Sequence, residues 1–186
     1  MQPTMKSSSK GDLNRLSIGI QDVPQPAQLK TLFAKNGGLL RKTVSGLGKV
    51  NPRELDTVVH SLHQQAFEFY DCLKCANCCR SISPAISHND VDVMAKKLRI
   101  RPSEVVQNYL QMDNDGDFVF HEAPCPFIDQ ENYCGIYSHR PKACREYPHT
   151  DRSRFYQILQ LSLRNAEICP VVYAILMKLS AKNPGN

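Results

Sequence analysis

The spacing of apolar residues predicts a chain built mainly from helices. In its strongest periodic segment, Asn51 suits the N-cap, Pro52 the first helical position and Glu54 the capping-box position. Apolar residues then recur three or four positions apart: Leu55, Val58, Val59, Leu62, Ala66 and Phe69. This pattern predicts an amphipathic helix that runs directly into Cys72 and so mounts it on a rigid element.

Capping residues predict two further helices, one on each side of this segment. A short helix from Ala27 to Lys35 is expected to end at Gly37-Gly38, since glycine is the common residue just past a helix C-terminus. After Cys79, Ser87 and Asp90 have the spacing of a capping box. They therefore predict a helix that begins after Ser87.

The second half of the chain alternates helical signals with turns. Pro102 opens a short helix, and Phe118–Phe120 is the best strand candidate, following a turn at Asp113–Asp117. The segment Ser153–Leu163 fits helix or strand, and helix is favoured. Cys169-Pro170 opens the last predicted helix.

These elements predict a mainly α fold with a small β-hairpin and long loops, forming a single compact domain organised around a Cys-ligated metal centre. The expected organisation is a flexible N-terminal tail at 1–25, a short helix and connector at 26–50, a cysteine-cluster metal-binding domain at 51–182 and a C-terminal tail at 183–186.

Composition narrows the class of protein. Of the residues, 41% are hydrophobic and 22% charged, and the formal net charge of +5 comes from scattered basic residues, so no nucleic-acid partner is expected. Met1 to Gly19 lacks the apolar core of a signal peptide, and the apolar stretch Val171–Met177 is far shorter than a membrane span. No membrane partner is expected, and the predicted location is the cytoplasm, where thiols stay reduced and bind metals more readily than they form disulfides.

The run Cys72-x2-Cys75-x2-Cys78-Cys79 is the strongest chemical signal, because thiolates at this spacing bind soft metal ions. Its first three cysteines match a bacterial ferredoxin run, but the position of the next ligand holds Ile82. A fourth ligand must therefore be Cys79 or a distant cysteine. If the backbone is extended, the adjacent Cys78 and Cys79 point to opposite faces and do not bind one metal in the same way.

The four remaining cysteines are also candidate ligands: Cys125, Cys134, Cys144 and Cys169. Cys169 would lie at a helix N-terminus, which stabilises a thiolate. Basic residues that could offset the charge of clustered thiolates are Lys74, Arg80, Lys142 and Arg145. Cys79 and Cys169 are the two that most readily fit a packing role instead. His139 and His149 are weaker ligand candidates.

Together these residues resemble a known family. The matching motifs are Cys72-x2-Cys75-x2-Cys78-Cys79-Arg80, Cys125-Pro-Phe-Ile-Asp129, Cys134-Gly-Ile-Tyr137, Arg140-Pro141, Cys144-Arg145-Glu-Tyr147-Pro148 and Cys169-Pro170. They resemble the YkgJ-like cysteine-cluster family, whose members are described as candidate zinc- or iron-chelating proteins and sometimes as iron–sulfur oxidoreductases. A similar cluster occurs in flagellin lysine methylases. Ala76-Asn77 stands where the family commonly has a glycine, which removes no ligand.

Three functional hypotheses follow, and each rests on the eight cysteines. The first is an iron–sulfur centre, as a four-iron cluster held by three cysteines of 72–79 and one distal cysteine, serving electron transfer or supporting a modification reaction. The second is a non-catalytic zinc-binding module that acts structurally or in interaction with a protein partner. The third is metal chelation and delivery. The expected partners are a metal ion or cluster and a redox or protein partner, and the sequence leaves catalysis open.

Overall fold

Helices dominate the structure, a computed structural model that describes residues 16–181. In chain order, the α-helices and strands are α1 (Leu29–Leu47), α2 (Pro52–Phe67), α3 (Cys72–Cys75), α4 (Asn77–Ser81), α5 (His88–Leu98), α6 (Pro102–Tyr109), β1 (Leu110–Met112), β2 (Phe118–Phe120), α7 (Lys142–Glu146), α8 (Leu159–Asn165) and α9 (Pro170–Ser180). The mainly α fold with a small hairpin is therefore confirmed.

The described chain divides into two units. Residues 16–69 and 150–181 form one unit, called here the helical unit, and residues 70–149 form the other, called the cysteine unit. The domain limits expected from the sequence stay a prediction. Of the two expected tails, residues 1–15 and 182–186 lie outside the described residues.

The helical unit is built around α9. Nearly every residue of this helix is buried, including Val171, Ile175 and Leu179, and it contacts α1, α2 and α8. A helix that is apolar on all sides is stable only when other elements surround it, and here three helices do so. Within residues 16–181, no helix combines the length and the apolar character that crossing a membrane requires.

Helix α1 is twice as long as the short helix that the sequence predicts. The expectation that Gly37-Gly38 would end it at about Lys35 is wrong, because the helix continues to Leu47. Leu40, Val44 and Leu47 are buried and extend the apolar face beyond the glycines. The burial of this face against α8 and α9 outweighs the cost of two mid-helix glycines, about 1 kcal/mol each.

Helix α2 begins as predicted and ends earlier. The Asn51 side chain accepts hydrogen bonds from the backbone N–H groups of Arg53 and Glu54, which confirms the N-cap. The helix stops at Phe67, so the expectation that it runs directly into Cys72 is wrong. Phe69 follows in the chain after the end of the helix, and the first cysteines are therefore placed by their own short helices.

Other predicted elements of the helical unit are present. In the segment Ser153–Leu163, a 3₁₀ turn at Phe155–Ile158 leads into α8, so the favoured helix is confirmed over the strand. The side chain of Asp56 caps this turn by accepting hydrogen bonds from the N–H groups of Arg154 and Phe155 at 2.7 and 2.8 Å. Helix α9 begins directly after Cys169, as expected.

The cysteine unit has a small core of its own. Helices α5 and α6 pack against the β1–β2 hairpin, burying eight residues: Ile86, Val91, Met94, Ala95, Val105, Leu110, Phe120 and Ile136. The antiparallel strands pair Leu110 with Phe120 and Met112 with Phe118, and Asp113 closes the turn between them. The hairpin and its turn were both predicted.

Asp90 ties two helices of this unit together. Its carboxylate accepts hydrogen bonds from Ser87, completing the predicted capping box of α5, and from the backbone N–H of Lys142 at 2.8 Å. The second bond caps the N-terminus of α7 from outside that helix. Burial raises the pKa of Asp90, but the hydrogen bonds and the charge of Arg145 outweigh it, so the pKa lies below 3.8.

Replacing Gly38 by alanine is expected to raise the free energy of unfolding by about 0.5–1 kcal/mol. Gly38 lies in the middle of α1, and a Cβ there would meet no atom within 4 Å. Urea unfolding followed by circular dichroism measures the effect. Gly37→Ala is the matched control with a smaller gain, because its Cβ would lie 3.2 Å from the Phe33 ring. A Gly38→Ala protein less stable than wild type would contradict this account of α1.

Replacing Asp90 by asparagine is expected to destabilise the cysteine unit by about 1–3 kcal/mol at pH 7, because a buried acceptor of three N–H and O–H groups loses its charge. The pKa of Asp90 is lowered in the folded state, so the ionised carboxylate adds to the free energy of unfolding above the unfolded pKa of about 3.9. This contribution is lost as the pH falls from that value through the folded-state pKa. Denaturant unfolding at pH 7 and at about pH 3 tests the sign.

The control for this variant is Asp92→Asn, an exposed carboxylate on the same helix. The Asp90→Asn effect should shrink at acid pH, because the unfolded wild-type chain binds a proton at Asp90 below about pH 3.9 while the folded chain resists it, which lowers the free energy of unfolding. An effect of equal size at both pH values would show that Asp90 acts through shape rather than charge.

Candidate metal centre

Seven of the eight predicted ligands belong to one unit. Cys72, Cys75, Cys78, Cys79, Cys125, Cys134 and Cys144 lie in the cysteine unit, whereas Cys169 lies in the helical unit. The eight cysteines are present as thiols rather than disulfides. The site is described below for the seven that share a unit.

Two short helices carry the first run. Asp71 caps α3 by accepting a hydrogen bond from the N–H of Leu73, and Cys72 and Cys75 stand three positions apart on it, a spacing that places side chains on one face. Ala76 then breaks the helix with a left-handed backbone (φ 45°) before α4 begins. The run therefore folds into two turns with a bend between them.

Ala76 occupies a conformation that glycine adopts more easily. A left-handed backbone costs a residue with a Cβ roughly 1–2 kcal/mol. The bend explains why a glycine suits this position in the family that the chain resembles. Ala76 is also buried, at 3% exposure, so its methyl group regains part of this cost through packing.

Cys78 and Cys79 lie on a helix, not on an extended strand. The expectation that their side chains point to opposite faces is wrong, because α4 turns the chain by about 100° per residue and not 180°. Their sulfur atoms are 4.0 Å apart. Both thiols can therefore face the same centre.

The Cys125–Cys134 segment is joined to this run through the backbone. The N–H of Cys125 donates to the carbonyl of Cys79 at 2.8 Å. Cys134 pairs with Ile128 in an isolated β-bridge, and both Cys125 and Cys134 pack against the core of the unit. Two distal cysteines are thus brought to the first run from more than forty positions along the chain.

Cys144 enters the site on α7. This helix is the one that Asp90 caps through the N–H of Lys142, two positions before the cysteine. The short 3₁₀ turn at Tyr137–His139 packs against α5 just before it. The position of Cys144 therefore depends on a buried carboxylate of another helix.

The thiol of Cys79 is the electrostatic hub of the site. A hydrogen bond from Cys78 is the largest cause that lowers the pKa of Cys79 to about 7, and the charges of Arg80 and Arg140 contribute to this against the opposing effect of burial. At neutral pH this thiol is already partly a thiolate. It is the group that would attract a metal cation first.

The three distal thiols of the unit hold their protons more firmly. Burial is the largest cause that raises the pKa of Cys125 to about 11 and that of Cys144 to about 12, and burial also raises the pKa of Cys134. The charge of Cys79 contributes to the rise in each case. Cys144 also feels the charges of Cys125 and Cys134, so these four thiols lie within electrostatic reach of one another.

Cys72 stands on the exposed side of the site. The residue as a whole is exposed, but loss of water around its sulfur is the largest cause that raises the pKa of Cys72 to about 11. The charges of Cys75, Asp71 and Cys79 contribute to the same rise. A metal that binds these thiols must displace their protons, so its apparent affinity increases with pH.

Arg140 is the cation that acts on most of the thiols. Its positive charge lowers the pKa of four thiols, on each of which burial acts in the opposite direction: Cys72, Cys79, Cys134 and Cys144. Its guanidinium lies 3.8 Å from the centre of the Tyr137 ring and donates to the Tyr137 carbonyl at 2.6 Å. Arg140 is not among the basic residues that the sequence predicts to offset the thiolate charge, because only the fold brings it near four separate cysteines.

Two of the basic residues predicted to offset the thiolate charge are engaged elsewhere. Lys142 forms an ion pair with Glu146 at 3.6 Å, and Arg145 donates to the carbonyl of Arg140. Although both residues lie close to Cys144 in the sequence, neither is among the charges that lower the pKa of its thiol.

Cys169 and the two histidines stay predictions as ligands. Cys169 is the N-cap of α9 and is 8% exposed. His139 forms a hydrogen bond with Ser138, and His149 lies edge-on to the Tyr147 ring.

The donor set fits a soft metal. Seven sulfur donors in one unit match the preference of zinc and of iron–sulfur clusters, whereas calcium and magnesium require oxygen ligands. Among the described residues, no three His, Cys, Asp or Glu side chains already stand at the geometry of a metal site. Small side-chain movements within the cysteine unit must therefore accompany binding.

Comparison with known proteins places the chain in a family. No curated protein and no solved structure matches it. A family model matches residues 71–170, which is more than half of the chain and includes all eight cysteines. The chain therefore belongs to the CxxCxxCC family, described as a putative zinc- or iron-chelating domain.

Proposed function

We propose that the cysteine unit holds an iron–sulfur centre that serves electron transfer. The observation that carries this proposal is the gathering of seven thiols from separate segments into one unit of the chain. A zinc ion and a four-iron cluster each take four protein ligands, so either would leave three of the seven thiols over, but zinc sites often include histidine or carboxylate ligands. Clusters of several irons use an all-thiolate set of this kind.

The arrangement of the thiols favours one set of four. Cys79, Cys125, Cys134 and Cys144 lie within electrostatic reach of one another, and the backbone bond between Cys125 and Cys79 holds two of them side by side. A four-iron cluster takes four thiolates. This set contains one cysteine of the first run and three distal ones, rather than the three and one that the sequence suggests.

One of the remaining thiols of the unit lies at its surface. Cys72 is exposed, and it lies within electrostatic reach of Cys75 and Cys79. A redox centre must come near a surface to exchange electrons with a partner. An iron–sulfur cluster would supply one-electron chemistry, and the protein residues would set its potential through charge and solvent exclusion. Arg140 is the residue best placed to supply such a charge.

The same centre would serve a modification reaction if a second protein supplied the substrate. Zinc binding in a non-catalytic module, and metal chelation for delivery, use the same thiols. These alternatives differ in which metal is bound and in how fast it leaves. Metal analysis therefore separates them directly.

Protein purified without oxygen is expected to contain iron and acid-labile sulfide in nearly equal amounts, with broad absorption near ~400 nm. The measurement is iron, sulfide and zinc per chain, with the visible spectrum. Stoichiometric zinc without sulfide would overturn the iron–sulfur proposal and favour the zinc module. Metal that a chelator removes quickly while the fold persists would favour delivery, because a structural ion is coupled to folding.

Replacing Cys79 by serine is expected to remove most of the bound metal. The reason is that the Cys79 thiol lies within electrostatic reach both of Cys72 in the first run and of the distal cysteines. Metal per chain is measured together with circular dichroism, which checks that the helices remain. A Cys79→Ser protein with full metal content would contradict the assignment.

A Cys169→Ser variant, measured in parallel, tests the eighth predicted ligand. Loss of metal with retained helicity would support the sequence prediction that Cys169 is a ligand. Full metal content would assign it to the packing of the helical unit, in which it is buried.

A further inference from the structure

We propose that Arg80 and Asn132 are positioning residues that hold the Cys72–Cys79 run against the Cys125–Cys134 loop before metal binds. Neither residue supplies a sulfur ligand. Arg80 directly follows Cys79 and Asn132 lies between Cys125 and Cys134 in the chain, and their side-chain hydrogen bonds join the two segments. The inference rests on the proposed function, because it assigns these residues a role at the same centre.

The loop that carries Asn132 is held in shape by its own hydrogen bonds. The carboxylate of Asp129 accepts from the N–H groups of Glu131 and Tyr133, at 2.9 and 2.7 Å, and the N–H of Asp129 donates to the carbonyl of Tyr133 at 3.0 Å. Asn132 has a left-handed backbone (φ 68°), which asparagine adopts more readily than most residues. The loop therefore presents the Asn132 side chain in a defined direction.

The amide of Asn132 contacts the first run at two points. Its Nδ2 donates to the carbonyl of Lys74, between Cys72 and Cys75, at 3.0 Å. Its Oδ1 accepts from Nε and Nη2 of Arg80, at 2.9 and 2.6 Å. A carbonyl only accepts and a guanidinium only donates, so this network satisfies both ends of the amide in one orientation.

Arg80 completes the connection from the other side. Besides Asn132, its Nη2 donates to the carbonyl of Asp129 at 2.8 Å. The side chain of the residue that follows Cys79 is thus fixed to the loop that precedes Cys134. The backbone bond from Cys125 to Cys79 lies between the same two segments. These are four connections between the two segments, and three of them use Arg80 or Asn132.

These contacts matter because thiols do not hold one another in place. Ionised thiols repel, and the two segments are separated by a long stretch of chain, so bringing them together costs conformational entropy. Contacts that exist before the metal arrives lower this cost at the moment of binding. Residues that orient metal ligands in this way typically affect metal affinity about 10–100-fold.

A purely electrostatic role for Arg80 is the main alternative. Its charge would act on Cys79 wherever the guanidinium pointed, and a lysine would supply the same charge. The observed contacts instead use the planar fork of the guanidinium, with two nitrogens on one amide oxygen. The Arg80→Lys substitution therefore separates the two roles, because it keeps the charge and loses the fork.

The test uses reduced, metal-free full-length protein titrated with Zn²⁺, and with Co²⁺ as an optical probe of thiolate ligation. Asn132→Gly keeps a residue that accepts the left-handed backbone and removes the amide. Both Asn132→Gly and Arg80→Lys are expected to weaken Zn²⁺ binding about 10–100-fold and to alter the thiolate-to-Co²⁺ charge-transfer band. The Zn²⁺ affinity of the double variant should be close to that of either single variant, because the two residues act as one unit.

Hydrogen exchange provides a readout that does not depend on metal. In the metal-free protein, the amide of Cys125 should exchange faster in both variants than in wild type, since its bond to Cys79 lies between the joined segments. The matched controls are Asn114→Gly, in the exposed turn of the hairpin, and Arg101→Lys, whose ion pair with Glu104 is exposed. Both controls should leave Zn²⁺ affinity and Cys125 exchange unchanged.

Wild-type affinity in both Asn132→Gly and Arg80→Lys would overturn the positioning role and leave the proposed function standing. Loss of affinity in Asn132→Gly with full retention in Arg80→Lys would assign Arg80 to charge and also overturn the joint role. A wild-type protein that binds iron, Zn²⁺ and Co²⁺ no better than a chain without cysteines would overturn the proposed function itself.

Discussion

Mutual repulsion between thiolates is the constraint on which the cysteine unit depends. Seven thiols in one small unit cannot all ionise at neutral pH without strong repulsion. The protein avoids this by keeping most of them protonated: burial and neighbouring charges raise the pKa of Cys72, Cys125 and Cys144 to about 11, 11 and 12. The thiol of Cys79, with a pKa lowered to about 7, loses its proton more easily than these three. Metal binding then replaces protons by a cation, which removes the repulsion.

Because the thiols do not attract one another, the polypeptide must hold them together by other means. The apolar core of the unit is small and lies under α5, α6 and the hairpin. Single polar side chains make the remaining connections: Asp90 fixes α7, which carries Cys144, and Asn132 joins the distal loop to the first run. Each is a short, directional contact between segments far apart in sequence. Such contacts keep ligands close while leaving them enough freedom to adjust around a metal.

The sequence predicted most helix starts and fewer helix ends. Asn51, Ser87 and Pro102 mark N-termini through contacts within one turn, so local residues decide them. The ends of α1 and α2 depended on packing instead: α1 continues through two glycines because its apolar face is buried by α8 and α9. The expected direction of the Cys78 and Cys79 side chains was wrong for a related reason, since it required knowing that the five residues Asn77–Ser81 form a helical turn.

The sequence by itself determined the chemical signal: the spacing of Cys72, Cys75, Cys78 and Cys79 is typical of ligands for a soft metal, because spacing within one run is a local property. It also determined which residues start the helices. Only the tertiary structure decided which distant groups complete the site. It placed seven cysteines in one unit and brought Arg140 to four of them. Such long-range placement depends on how the hairpin, α5 and α7 pack, and no spacing in the sequence encodes the direction in which a side chain finally points.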